Sequence, residues 1–132
     1  MPTVEQVPID DYTIPISRAE TLIQGSDLTL LSWGTPVYHC ESAIQLLSSP
    51  PPSLAPLIPP SLRSAKIELI DLRTILPWDV ETVVESVRRT KRLVIVHEAG
   101  MTGGVGGEIA AEVGKKAFLR LEAPVRRITG WE

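Results

Sequence analysis

LVIVHEAGMTGGVGGEIAAEV, Leu93 to Val113, is the stretch on which the fold turns. Leu93-Val94-Ile95-Val96 is apolar on both alternating faces, as expected of a strand covered by helices on both sides. A glycine-rich turn follows. Beyond it the spacing predicts a helix from about Gly104 to Lys116, with Val105, Ile109 and Val113 on one stripe. Strand, glycine turn and helix together form the setting in which backbone N–H groups at a helix N-terminus bind phosphate. Whether this turn holds a ligand therefore bears directly on function.

The letters argue against a nucleotide. Gly104-x-Gly106 is followed by Ile109 where a dinucleotide fingerprint requires Gly or Ala, and no Gly-Lys-Ser/Thr is present for a P-loop. Glu108 sits in the first helical turn, where its carboxylate satisfies the helix dipole and repels phosphate. A metal fares no better. HEAGM lacks the second His at i+4 of a zinc-protease helix, and His39, His97 and Cys40 are the only soft ligands in the chain. His97, at a strand end beside Glu98, is read as a hydrogen-bonding residue at the edge of a sheet. Gly100, Gly103, Gly104, Gly106 and Gly107 are then expected to let backbone approach backbone, either within the fold or across a subunit contact.

Working outward, RAETLIQ (Arg18 to Gln24) and DLTLLSW (Asp27 to Trp33) flank Gly25-Ser26, which predicts a hairpin and an antiparallel pair. Thr35-Pro36 reads as a helix start, Thr35 as N-cap, with Val37, Cys40, Ile44 and Leu47 on one face. Cys40 is thereby an inert core residue rather than a nucleophile. In SPPPSLAPLIPPS, six of the eleven residues from Pro50 to Pro60 are proline. Pro56-Leu57-Ile58-Pro59 satisfies PxxP, but that pattern is so common that a stiff surface loop over residues 48–64 is the favoured reading. IELIDL (Ile67 to Leu72) predicts a strand. Asp79 caps a helix whose face is Val80, Val83, Val84 and Val87, with Arg88, Arg89 and Lys91 complementing the dipole at its end. Phe118 to Leu121 is read as a last strand. Strands alternating with amphipathic helices make a three-layer αβα domain, its mixed, mostly parallel sheet of about five strands containing one antiparallel strand.

Composition excludes several function classes. The 132 residues suit one domain, and 43% hydrophobic with 22% charged residues is globular. A formal charge of −3, with acids and bases interspersed, leaves no electrostatic footprint for nucleic acid. No apolar run approaches the ~20 residues that span a bilayer, and MPTVEQVPIDDY resembles no signal or transit peptide, so neither a membrane nor a targeting segment is expected. The single Cys40 excludes an intramolecular disulfide.

Three stretches, IPISRAETLIQGSDLTLLSWG (Ile14 to Gly34), IELIDLRTILPWD (Ile67 to Asp79) and VIVHEAGMTGGVGGEI (Val94 to Ile109), resemble in order and spacing the C-terminal domain of the beta subunit of the thiamine diphosphate-dependent 2-oxo acid dehydrogenases. LEAPVRRITG (Leu121 to Gly130) extends the likeness to nearly the whole chain outside the proline-rich loop. LRTILPWD, and HEA followed by TGG, are more similar to the branched-chain (3-methyl-2-oxobutanoate) members than to the pyruvate members. The resemblance implies a fold of the transketolase C-terminal type over residues 18–132, with residues 1–17 as a linker from an upstream domain outside this chain. Family members continue several tens of residues past the position of Gly130, so the domain is expected to be truncated at its C-terminus, and the proline-rich loop is longer than in the members it resembles.

What the family does enters only as implication. It implies an assembly domain in a heterotetrameric, mitochondrial-matrix decarboxylase (cytoplasmic in bacteria) of branched-chain amino acid catabolism. Its partners would be an alpha subunit, a second beta subunit and the acyltransferase core. Thiamine diphosphate and magnesium would lie outside this chain, which binds neither and is expected to be inactive alone. No catalytic, cofactor or metal residue is carried over. His97, Glu98, Thr102, Gly103, Gly104, Gly106 and Glu108 are expected as turn or subunit-contact residues. The alternatives are a pyruvate dehydrogenase beta domain, a free-standing small nucleotide-binding protein, or a binding module acting through its proline loop.

Overall fold

The structure, a computed structural model, describes residues 4–131. Five strands form one mixed sheet: β1 (Glu20–Ile23), β2 (Leu28–Ser32), β3 (Ile67–Asp71), β4 (Leu93–Val96) and β5 (Arg126–Ile128), in the order β1-β3-β2-β4-β5. Four strands run parallel; β1 alone is antiparallel, to β3. Helices α1 (Pro36–Ser48), α3 (Val80–Thr90) and α4 (Val105–Ala117) make the parallel crossovers, and α2 (Pro60–Arg63) is a single turn within the proline-rich loop.

Alternation along the strands sends side chains to two cores. Leu31, Ile70, Leu72, Leu93 and Ile95 meet Val83, Val84 and Val87 of α3 and Ile109 and Val113 of α4. On the other face Leu30, Ile67 and Leu69 meet Cys40, with Ile44, Leu47, Val94 and Val96 packed alongside. Apolar residues facing both ways along β2, β3 and β4 are therefore what the three-layer arrangement requires. Cys40 is buried, and burial pushes its thiol up, away from the reactive thiolate.

The opening hairpin does not form. β1 and β2 are separated by β3, because the turn joining them is pinned to the start of that strand: the Ser26 and Asp27 N–H groups both donate to the Lys66 carbonyl, at 2.9 and 3.0 Å. Gly25 serves close approach rather than turn geometry, since a Cβ there would lie 2.3 Å from the Glu68 nitrogen. The predicted last strand is also displaced. Phe118–Arg120 is a short 3-10 turn continuing α4, and the edge strand is Arg126–Ile128. Thr35 precedes α1 with helical backbone and no side-chain cap bond, whereas Pro36 does occupy the first turn.

Asp79 caps α3 as the sequence suggests, its Oδ1 accepting the Thr82 N–H at 3.1 Å. Its Oδ2 also accepts the Ala19 N–H at 3.0 Å, which ties the chain entering β1 to the same helix start. At the far end of α3, Glu68 is 1% exposed and paired with Arg89, Nη2 to Oε1 at 2.8 Å. Burial pushes the Glu68 carboxyl up, but hydrogen bonds from Arg89, Ser86 and the Gly25 N–H outweigh it and hold the pKa below its ordinary value.

The proline-rich segment is organised by its own residues. Ala55–Leu57 forms a 3-10 turn, and the Arg63 guanidinium donates to the carbonyls of Ala55 at 2.6 Å and Ile58 at 3.3 Å. Pro56 and Leu57 therefore do not present the extended polyproline conformation that PxxP recognition uses.

Candidate functional site

The loops after β2, β4 and β5 meet at the carboxyl end of the sheet, where open α/β folds place their ligand sites. The loop after β4 is the glycine turn, and His97 is its first residue. His97 is 3% exposed, stacked on Trp33 from the end of β2 with ring centroids 5.4 Å apart and planes 7° from parallel. β4 lies between β2 and β5, so His97 is not at a sheet edge, and neither ring nitrogen has a hydrogen-bond partner of ordinary geometry among the described residues. The expectation of a hydrogen-bonding edge residue is thus corrected: the imidazole is used as a flat packing element. Burial lowers its pKa; the Arg127 guanidinium acts in the same direction, and the backbone at Ala99 against them.

Two of the glycines are explained by this ring. A Cβ on Gly106 would lie 2.3 Å from His97 Nε2, and one on Gly104 would lie 2.6 Å from the Gly100 carbonyl oxygen and 2.9 Å from His97 Cε1. Gly103 adopts φ 72°, the left-handed region that favours glycine. Of the residues singled out from sequence, His97, Gly104 and Gly106 come together inside the fold. Glu98, Thr102, Gly103 and Glu108 lie exposed on its outside. Val105, expected on the buried stripe of α4, is instead exposed beside them.

Residues that local reading missed complete the turn. The Arg127 guanidinium donates to the Met101 carbonyl at 2.8 Å, and the Gly130 N–H donates to the Ala99 carbonyl at 3.1 Å. A Cβ on Gly130 would sit 2.0 Å from the Glu98 carbonyl oxygen. These partners lie some thirty positions from the turn, where no local period or motif reports them. Trp33, stacked from a different loop, is invisible for the same reason. On its outer side the turn borders an open depression of about 590 Å³ lined by Thr102, Gly104, Gly107, Arg127 and Glu108, whose carboxylate supplies the negative charge in the first turn of α4.

Comparison with known proteins agrees with this geometry. The family described as "Transketolase, C-terminal domain" matches residues 60–132. The chain is 46% identical over 130 residues to a 2-oxoisovalerate dehydrogenase subunit beta, mitochondrial, of Chaetomium thermophilum, covering 97% of this chain and 25% of that protein. It is 39% identical over 128 residues to a pyruvate dehydrogenase E1 component subunit beta of Mycoplasma pneumoniae, covering 97% of this chain and 35% of that protein. It thus spans between a quarter and about a third of the length of these relatives. A solved "Split gene transketolase, inactive beta4 tetramer" superposes with a TM-score of 0.67 at 21% identity, over 96% of this chain and 36% of its own, and shares the fold. Sheet order, crossover helices and sequence matches agree: the chain belongs to the transketolase C-terminal domain family.

Proposed function

We propose that this chain is the assembly domain of the beta subunit in the decarboxylating component of a branched-chain 2-oxo acid dehydrogenase complex. One observation carries the structural role: the Cβ positions of Gly104 and Gly106 are taken up by the protein's own His97 ring and Gly100 carbonyl, so these glycines serve close packing, while Glu108 lines the open depression beside them. The branched-chain assignment is supported by the 46% identity to a 2-oxoisovalerate dehydrogenase beta subunit, against 39% to a pyruvate dehydrogenase one. Residues 1–17 act as the linker from an upstream domain and residues 18–132 as the domain proper.

Thiamine diphosphate and magnesium belong to the complete enzyme and are held outside this chain. The residues here do not suit them. Among the described residues no cluster of three or more His, Cys, Asp or Glu is placed to hold a metal ion, and the helix N-terminus carries Glu108. We assign His97, Gly104 and Gly106 to the shape of the turn, and exposed Glu98, Thr102, Gly103 and Glu108 to contact with an alpha or second beta subunit. The acyltransferase core is the further partner. The mitochondrial matrix is the compartment, on the strength of the mitochondrial relative.

The test uses the complete enzyme carrying Gly104→Val, with analytical ultracentrifugation beside thiamine diphosphate titration. Weakened folding or tetramer assembly with unchanged cofactor affinity is expected. Normal assembly with selectively lost cofactor affinity would overturn the reading. Turnover of 3-methyl-2-oxobutanoate against pyruvate by the assembled enzyme decides the substrate class, and the 132-residue chain alone is expected to turn over neither.

A further inference from the structure

The C-terminal end of α4 carries a feature that the assembly reading leaves unused. Phe118 and Leu119 are 72% and 94% exposed, side by side in the 3-10 turn that continues the helix. Four cations surround them. Arg88 reaches across from α3 to donate to the Lys116 carbonyl at 3.1 Å, Lys115 and Lys116 lie in the last turn of α4, and Arg120 follows immediately. Together they line a shallow depression of about 390 Å³.

Cations outnumber carboxylates here, with Glu81 and Glu85 lining the neighbouring depression beside Arg88 and Lys116. Glu112 is the single carboxylate ion-paired to this group, at 3.3 Å to Lys116 and 4.0 Å to Lys115, and Arg120 has no ion pair among the described residues. The neighbouring cations Lys91 and Arg92 are by contrast satisfied by Glu122, at 2.8 Å each. In a chain whose formal charge is −3, four cations with one paired carboxylate around two bare apolar side chains are a local reversal of sign. Aromatic side chains and Arg are enriched where proteins meet, whereas exposed Phe-Leu pairs are otherwise a liability.

We infer that this surface docks an acidic peptide segment of a partner protein, one that places an apolar anchor against Phe118 and Leu119 and carboxylates against Arg88, Lys115, Lys116 and Arg120. Charge complementarity selects an acidic occupant, and the concavity of the site favours an inserted side chain over the flat face of a membrane. The inference stands apart from the assembly role and does not need it.

A random-peptide display selected on the 132-residue chain tests it, with counter-selection against Phe118→Ser/Leu119→Ser and against Lys115→Glu/Lys116→Glu/Arg120→Glu. These positions are exposed, and matching circular dichroism will confirm that the variants fold. Enriched peptides should combine Asp or Glu with Leu or Phe. Their binding, followed by fluorescence anisotropy, should weaken about tenfold or more in either variant and fall between 50 and 300 mM salt, because screening acts on exposed charges. An absent or basic consensus, or equal binding to both variants, overturns the proposal. So does co-sedimentation with phosphatidylserine-containing vesicles in the absence of any selected peptide, which would make the surface a membrane contact.

Discussion

His97 and Trp33 lie face to face, 5.4 Å between ring centroids, with the imidazole closed off from water by the first turn of α4. A ring packed this way is held neutral, because protonation would place an unpaired charge among apolar neighbours beside Arg127. The folded pKa is below the ordinary 6.5, so the unfolded chain takes up its proton first. The stability associated with neutral His97 is therefore complete above pH 6.5 and is lost progressively as pH falls from there toward the folded value. Unfolding free energies from urea titrations should decline as pH falls from 7.5 to 5.5, with a slope no steeper than the one-proton limit of about 1.4 kcal/mol per pH unit. His97→Leu should flatten the curve; an unchanged slope in that variant would refute the assignment.

Gly106→Ala should cost about 2 kcal/mol, since the added methyl drives directly into the imidazole and the helix cannot retreat from its own sheet. The penalty belongs to the pair, so it should shrink when Gly106→Ala is combined with His97→Ala. Equal costs in both backgrounds would show that the methyl meets something else.

Asp79→Ala removes three hydrogen bonds, two that form the cap, from the Thr82 N–H and hydroxyl, and one that forms the tie to the Ala19 N–H. A cap alone is worth about 1 kcal/mol, and leaving the Ala19 donor without its partner raises the expected loss to about 2 kcal/mol. Hydrogen exchange locates the effect. The amides of Ala19 and Thr82 should both lose protection, and protection retained at Ala19 would show that the cap acts alone.

The Glu68–Arg89 pair gives a second pH-dependent prediction, in a more acidic window. Arg89→Met strands a buried carboxylate, at a cost of about 2 kcal/mol at pH 7, below the fully buried figure because the Arg89 side chain is half in water. In the parent chain the depressed Glu68 pKa contributes stability above 4.5 that is lost as pH falls through the folded value. In the variant that contribution is gone, so the gap between the two proteins should narrow on acidification to pH 4. A gap that stays constant or widens would argue that Arg89 acts only through its packing.

What was legible in the sequence depended on whether the cause was local. The valine face of α3 and the Cys40 face of α1 follow from helical periodicity, and apolar β4 follows from being covered on both sides; each of these is written within a dozen residues. Asp79 was readable as a cap, but not as a ligand of Ala19, because that partner lies 60 positions away. Gly25-Ser26 misled because a Gly-Ser pair between two strands suits a hairpin equally well, and only the insertion of β3 selects the other use. Phe118 to Leu121 misled because its apolar residues were assumed to be buried, whereas Phe118 and Leu119 face solvent. The glycines depart from a phosphate fingerprint at Ile109, and that is local; the groups packed against them and their turn, His97 on one side and Arg127 and Gly130 on the other, are assembled by tertiary structure alone.

The insertion of β3 between the first two strands also constrains the history of the chain during synthesis. Glu20 pairs with Asp71 and Leu28 with Ile67, so neither β1 nor β2 has that neighbour until the whole proline-rich segment has been made. Had the hairpin formed, the first strands could have zipped together soon after leaving the ribosome. As built, some forty residues must be translated while two apolar edges wait, a slow, non-local closure in which premature partners compete. Once those residues are made, a loop held by its own Arg63 leaves fewer free residues to order when β3 docks, which lowers the entropy cost of that closure.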